Sequence, residues 1–204
     1  MITMKRKTID RKYLNNAMDY ATYRTLVDDL LKEGKVTGPQ QSESLANYTK
    51  LNVQRMQRID KTIHLLPELA AALQQITKPQ TWLVITEGWC GDASQIVPVL
   101  HAMAEVNPKI QLKLVLRDEN LELMDQYLTG GTSRSIPKLI VIDTESMQEQ
   151  FNWGPRPTVL QELYMKMRAE GMEYGAISQE LHGWYAKDKT VSTQKELLKK
   201  LIEA

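Results

Sequence analysis

The chain has 204 residues, 42% of them hydrophobic and 25% charged, with a formal net charge of +1. That size suits one moderate domain or a compact domain with additions, with enough apolar residues for a true core. Acids and bases are interleaved and no aromatic-basic stripe occurs, which excludes a protein built mainly to hold nucleic acid or an acidic membrane surface.

In chain order, residues 1–16 are polar and lack the apolar centre of a signal peptide. No run approaches the ~18–20 apolar residues of a membrane span, so cytoplasmic residence is expected. Over residues 10–32, Tyr13, Ala17, Tyr20, Tyr23, Val27, Leu30 and Leu31 recur at helical spacing. Gly34, Gly38 and Pro39 end that predicted helix. A second starts at the capping residues near Ser42 and runs towards Lys61, and Pro67 opens a short third through Gln75.

The period then changes. Residues 81–86 form a short β-rich run, and residues 110–116 alternate before becoming continuously apolar, as buried strands do. Between them residues 91–106 read as a helix, and residues 120–128 as another, closed by Gly130 and Gly131. Residues 137–143 and 148–153 are two further strands. The order β-α-β-α-β-β predicts a parallel first pair joined by a crossover helix and a terminal hairpin. After residues 154–157 the chain returns to helix. Gly171 and Gly175 interrupt it, residues 177–186 resume it, and residues 193–204 form a last amphipathic segment. The Met and Tyr stripe here reads as core packing. Three parts are expected: an N-terminal helical extension (1–79), an α/β core (80–157), and a C-terminal helical segment packed on that core (158–204).

Cys90 is the single cysteine, which excludes an intrachain disulfide and a Cys-based zinc site. His64, His101 and His182 are scattered, without carboxylates at ligand spacing, and read as surface or partly buried polar positions. No metal and no cofactor are expected. Trp89-Cys90-Gly91 stands where a strand gives way to a helix, so the unpaired N–H groups and positive dipole end of that helix face the sulfur. Pro98 lies within the helix, where proline bends the axis. Ser135-Ile136-Pro137 immediately precedes a buried strand. A cis Ile136–Pro137 bond accounts for a proline there and turns backbone groups of residue 136 towards the site.

With Trp89-Cys90-Gly91, Pro98, Ile136-Pro137 and Gly154 in this order and spacing, residues 80–165 resemble the thioredoxin superfamily. The resemblance implies a thioredoxin-like fold, a central mixed sheet with flanking helices, and a part in cell redox homeostasis. It implies that Cys90 attacks disulfides, that Ile136 binds extended peptide through its backbone, and that Trp89 covers the site. Trp89, Gly91, Asp92, Ser135, Ile136 and Pro137 are the expected substrate-binding residues around a catalytic Cys90. The implied partner is a disulfide-bearing or extended peptide or protein, and turnover by a lone Cys90 needs an external thiol, either a low-molecular-weight one or a partner's cysteine.

The departures from the family pattern are coherent. Cys90-Gly91-Asp92-Ala93 replaces Cys-Gly-Pro-Cys, so the resolving thiol is missing. Val84 and Leu114 stand where the family places a buried aspartate and its lysine. An ordinary dithiol thioredoxin is excluded. Two readings follow: a monothiol oxidoreductase, or a redox-inactive thioredoxin-fold module that binds peptide or protein. The helix dipole lowers the Cys90 pKa from about 8.5, while Asp92 and Glu87 oppose it with like charge. Asp92 is expected to cap the helix, and Arg134 to be a solvated loop residue. The target of the added helices and the oligomeric state are not legible in the sequence.

Overall fold

The computed structural model describes residues 7–204; the first six positions of the polar N-terminal stretch, where no signal peptide is expected, lie outside them. Four strands form one sheet in the order β2-β1-β3-β4. Strand β1 (Gln80–Thr86) is central and buried along its whole length. It runs parallel to β2 (Ile110–Leu116), with Gln80 opposite Ile110 and Thr86 opposite Leu116. On its other side it is antiparallel to β3 (Lys138–Asp143), which makes the hairpin with β4 (Glu149–Trp153). The predicted parallel pair and terminal hairpin are thus both present.

Three helices precede the sheet: α1 (Tyr20–Lys32), α2 (Glu43–Thr62) and α3 (Pro67–Gln74). The crossover helix α4 (Gly91–Ala104) joins β1 to β2 and packs against α2. A single turn, α5 (Leu121–Met124), lies between β2 and β3. The chain ends in α6 (Thr158–Ala169), α7 (Tyr174–Asp188) and α8 (Val191–Glu203). Helix α7 packs on α6 and reaches α4, and α8 packs on α3. No helix of the described residues is long and apolar enough to cross a membrane.

Three expectations need correction. The helix expected over residues 10–32 begins only at Tyr20, where Asp19 accepts the Thr22 N–H. Upstream, residues 11–14 make one 3-10 turn, and Met18 exchanges backbone hydrogen bonds of 2.8 Å with Leu114 on edge strand β2. Pairing with a free strand edge satisfies more backbone than an isolated helical turn would. The helix expected over 120–128 closes after one turn into i→i−3 bonds, because Tyr127 turns inward and donates to Glu149 Oε2 at 2.7 Å. Gly175 does not break the C-terminal helix but lies in the first turn of α7. Gly171 does end α6, at φ +73°.

The N-terminal extension also holds the strand-to-helix junction in place. Asn52, fully buried, donates from Nδ2 to Gly88 O at 3.0 Å, and Gly88 N–H donates to Thr37 Oγ1 at 2.9 Å. These bonds satisfy both backbone groups of the residue two places before Cys90, which would otherwise be orphaned in the interior.

Candidate functional site

Cys90 is the N-cap residue of α4, and its sulfur accepts the Ala93 N–H at 3.4 Å. The Cys90 thiol donates to Ile136 O at 3.3 Å. The Ile136–Pro137 bond is cis, as expected, so the end of the loop before β3 lies against the start of α4. Gly154, at φ +115°, closes the arrangement from below: a Cβ there would overlap Pro137 O.

Cys90 is buried, with 8% exposure. Burial, and next the negative charge of Asp92, push the Cys90 thiol up to about 12, against the pull of the Ala93 N–H and of Arg156. The dipole of α4 is therefore outweighed. An exposed helix start contributes only about 0.3–1 kcal/mol, less than one pKa unit.

Asp92 does not cap α4. Its carboxylate takes a fork from Arg156, Nε to Oδ1 at 3.1 Å and Nη2 to Oδ2 at 2.5 Å, and accepts from Tyr185 Oη at 2.8 Å. Both side chains of the ion pair are about one-tenth exposed. The cap passes to Cys90, because a carboxylate buried beside an arginine gains more from charge pairing than from one N–H. Arg156 also donates to Gln161 Oε1 at 2.8 Å and lies 4.4 Å over the Tyr164 ring.

The C-terminal helices supply side chains that the sequence reading did not anticipate. Ser178, His182 and Tyr185 recur along one face of α7. His182 Nε2 lies 2.9 Å from Tyr48 Oη, its Nδ1 3.1 Å from Gln95 Nε2, and Tyr48 Oη 3.0 Å from Ser178 Oγ. Burial, and then the nearby Arg55, hold His182 down at about 4, so the ring is neutral at physiological pH. Gly91 makes the approach possible. A Cβ there would come within 2.5 Å of Tyr48 Oη and 2.9 Å of His182 Nε2.

Tyr48, Ser178 and His182 line an open cleft of about 320 Å³ with Cys90 on its wall. Trp89, Gly91, Asp92, Ser135 and Ile136 of the predicted site line it, while Pro137 sits behind Ile136 and is not part of its lining. Trp89 does border the site, with the Arg117 guanidinium 4.7 Å over its ring. Arg134 is a loop residue as expected, but it forks onto Asp125. Tyr164 and Tyr174 face the cleft, whereas Leu160 and Met167 are buried, so the Met and Tyr stripe divides between site and core. The signal for the missed residues was present in the spacing: 178, 182 and 185 follow i, i+4, i+7, a polar line on the inner face of a helix. Among the described residues no three His, Cys, Asp or Glu side chains gather as a metal centre.

Comparison with known proteins bears on the family and the fold. A family profile described as thioredoxin matches residues 38–169. No curated protein matches significantly. A crystal structure of a protein of unknown function from Pseudomonas aeruginosa superposes with a TM-score of 0.63 at 18% identity, covering 97% of this chain and 98% of that one. An HIV epitope-scaffold superposes at 0.51 and 17% identity, over 92% and 99% of the two chains. At such identities the two structures speak for the fold alone.

Proposed function

Because the chain belongs to the thioredoxin family, and its one thiol is capped, buried and hydrogen-bonded to Ile136 O, we propose that it is a binding protein rather than a dithiol redox enzyme. The cleft beside the cis-proline loop is the binding site. Cys90 serves there as a protonated hydrogen-bond donor and helix cap. The observation that carries this reading is the burial of the sulfur together with the charge of Asp92, which keep it in the thiol form. Thiolate, not thiol, is the nucleophile in disulfide exchange.

The direction of the Ala93 N–H favours a second reading. If α7 opens, that donor stabilises a thiolate. The thiolate would attack a partner disulfide, expel one sulfur as thiolate and leave a mixed disulfide, and an external thiol would then release it. The two readings separate in one measurement, the pH-rate profile of Cys90 alkylation by iodoacetamide in the intact chain. The binding reading expects Cys90 to react about a thousandfold more slowly than a small free thiol near neutral pH. A rate comparable to the free thiol would transfer support to monothiol exchange.

A further inference from the structure

Arg58 sets the direction of the hydrogen bonds around His182. Arg58 Nη2 contacts Gln95 Oε1 at 3.3 Å, and a guanidinium can only donate. The Gln95 amide oxygen therefore faces Arg58 and its NH2 donates to His182 Nδ1. Nδ1 being an acceptor, the one proton of the neutral ring sits on Nε2 and is donated to Tyr48 Oη. With His182 donating to its oxygen, the Tyr48 hydroxyl is free to donate to Ser178 Oγ. The two hydroxyls share one bond between them, and in this direction the Ser178 proton is left to donate on the wall of the cleft.

Three acceptors of the cleft, by contrast, are engaged from within. Asp92, the sole carboxylate lining it among the described residues, takes Arg156 and Tyr185. Ile136 O takes the Cys90 thiol, and Tyr48 Oη takes His182. On the donor side stand the Ser178 hydroxyl and, besides Arg156, two guanidiniums that reach the cleft: Arg117, which spends Nε and Nη2 on Asp118 at 2.8 Å, and Arg134, which spends Nε and Nη2 on Asp125. The Arg134–Asp125 pair is about half exposed on each side, and such pairs exchange partners at little cost. The N–H groups that these ion pairs leave over, with the hydroxyl, call for a ligand rich in acceptor oxygens.

Deepening the binding reading, on which it rests, we propose that this cleft takes a small molecule through a terminal oxyanion, a carboxylate or phosphate held by Ser178 Oγ and the guanidiniums of Arg117 and Arg134. The volume of about 320 Å³ lies at the small end of ligand pockets, which fits a metabolite-sized molecule.

The test is a titration of the isotope-labelled full chain, followed by amide chemical shifts, with three probes: glutarate, ethyl phosphate and the diamide of glutaric acid. The oxyanion reading expects saturable shifts at Ser135 and Ser178 with an anionic probe in the millimolar range, and binding of the diamide at least tenfold weaker. The tighter anion identifies the ligand as a carboxylate or a phosphate. Ser178→Ala and the surface substitution Arg134→Gln should each weaken the anion by about tenfold, the effect of losing one charge-assisted bond. Glu180→Gln, on the exposed side of the same helix, should bind like the parent. Equal binding of diamide and acid, no saturable shift with either anion, or parental affinity in both Ser178→Ala and Arg134→Gln overturns the proposal. Equal binding of the diamide would leave the cleft a binding site of another specificity. Rapid alkylation of Cys90 would overturn the thiol assignment without touching the oxyanion result.

Discussion

At the scale of single residues, burial decides more than local charge. Cys90 sits at a helix start, a place that favours thiolate, yet enclosure by the protein reverses the preference. Glu87, three residues earlier, follows the same physics. It is completely buried; Oε1 accepts the Asp118 N–H at 3.0 Å, and Oε2 has no hydrogen-bond partner among the described residues. Burial raises its pKa, so the carboxyl favours folding while protonated, below its unfolded pKa, and that contribution is lost as pH rises through the folded value. Glu87→Gln keeps the acceptor for Asp118 and removes the charge. Its melting temperature should exceed that of the parent at about pH 8, and the gap should narrow as the medium is acidified towards about pH 4.5. A melting temperature lowered equally at both values would mean that the charge is compensated.

At the scale of elements, α7 is the part of the C-terminal segment that completes the cleft. It delivers Tyr185 to Asp92 and His182 to Tyr48 and Gln95. His182 faces Tyr48, Arg55 and Arg58 from α2, and Asp92 and Gln95 from α4. With its folded pKa near 4 and an ordinary value of 6.5, the neutral ring contributes stability above the upper value, and this is lost as pH falls through the lower one. Protonation would set an Nδ1–H against the Gln95 NH2 and a cation near two arginines. After discounting for its partial exposure, the loss is on the order of 1–2 kcal/mol. Urea unfolding of parent and His182→Gln at about pH 7 and pH 4 should show the parent losing that much more than the variant. The buried Asp92–Arg156 fork ties α4 to the turn that precedes α6. Arg156→Ala leaves a buried carboxylate with Tyr185 alone, and should cost about 3 kcal/mol in the same measurement.

At the scale of the whole molecule, the N-terminal segment guards the two edges of the sheet. Ile9 N–H donates to Met147 O at 2.8 Å and Glu149 N–H to Lys7 O at 2.7 Å beside β4, while Met18 pairs with Leu114 on β2. An exposed strand edge is a template for association. A chain shortened to begin at Asp19 should therefore form higher-order species by light scattering at concentrations where the full chain stays monodisperse. Unchanged scattering would show that the remaining fold protects its own edges.

The sequence by itself determined the alternation of strands and helices, the place of Cys90 at the head of α4, the loss of the resolving thiol and the cis Ile136–Pro137 junction. Each is local: hydrophobic period, capping residues and proline punctuation act over a few neighbours. Where local signals competed with distant partners, as at residues 10–19 paired to Leu114 or Tyr127 bonded to Glu149, the helix period misled. The state of the thiol, the diversion of Asp92 to Arg156 and Tyr185, and the cleft wall built from Tyr48, Ser178 and His182 were decided only by the tertiary structure. Desolvation and charge pairing depend on which side chains converge from segments as far apart as α2 and α7; spacing puts Ser178, His182 and Tyr185 on one face of α7 but does not say what that face meets.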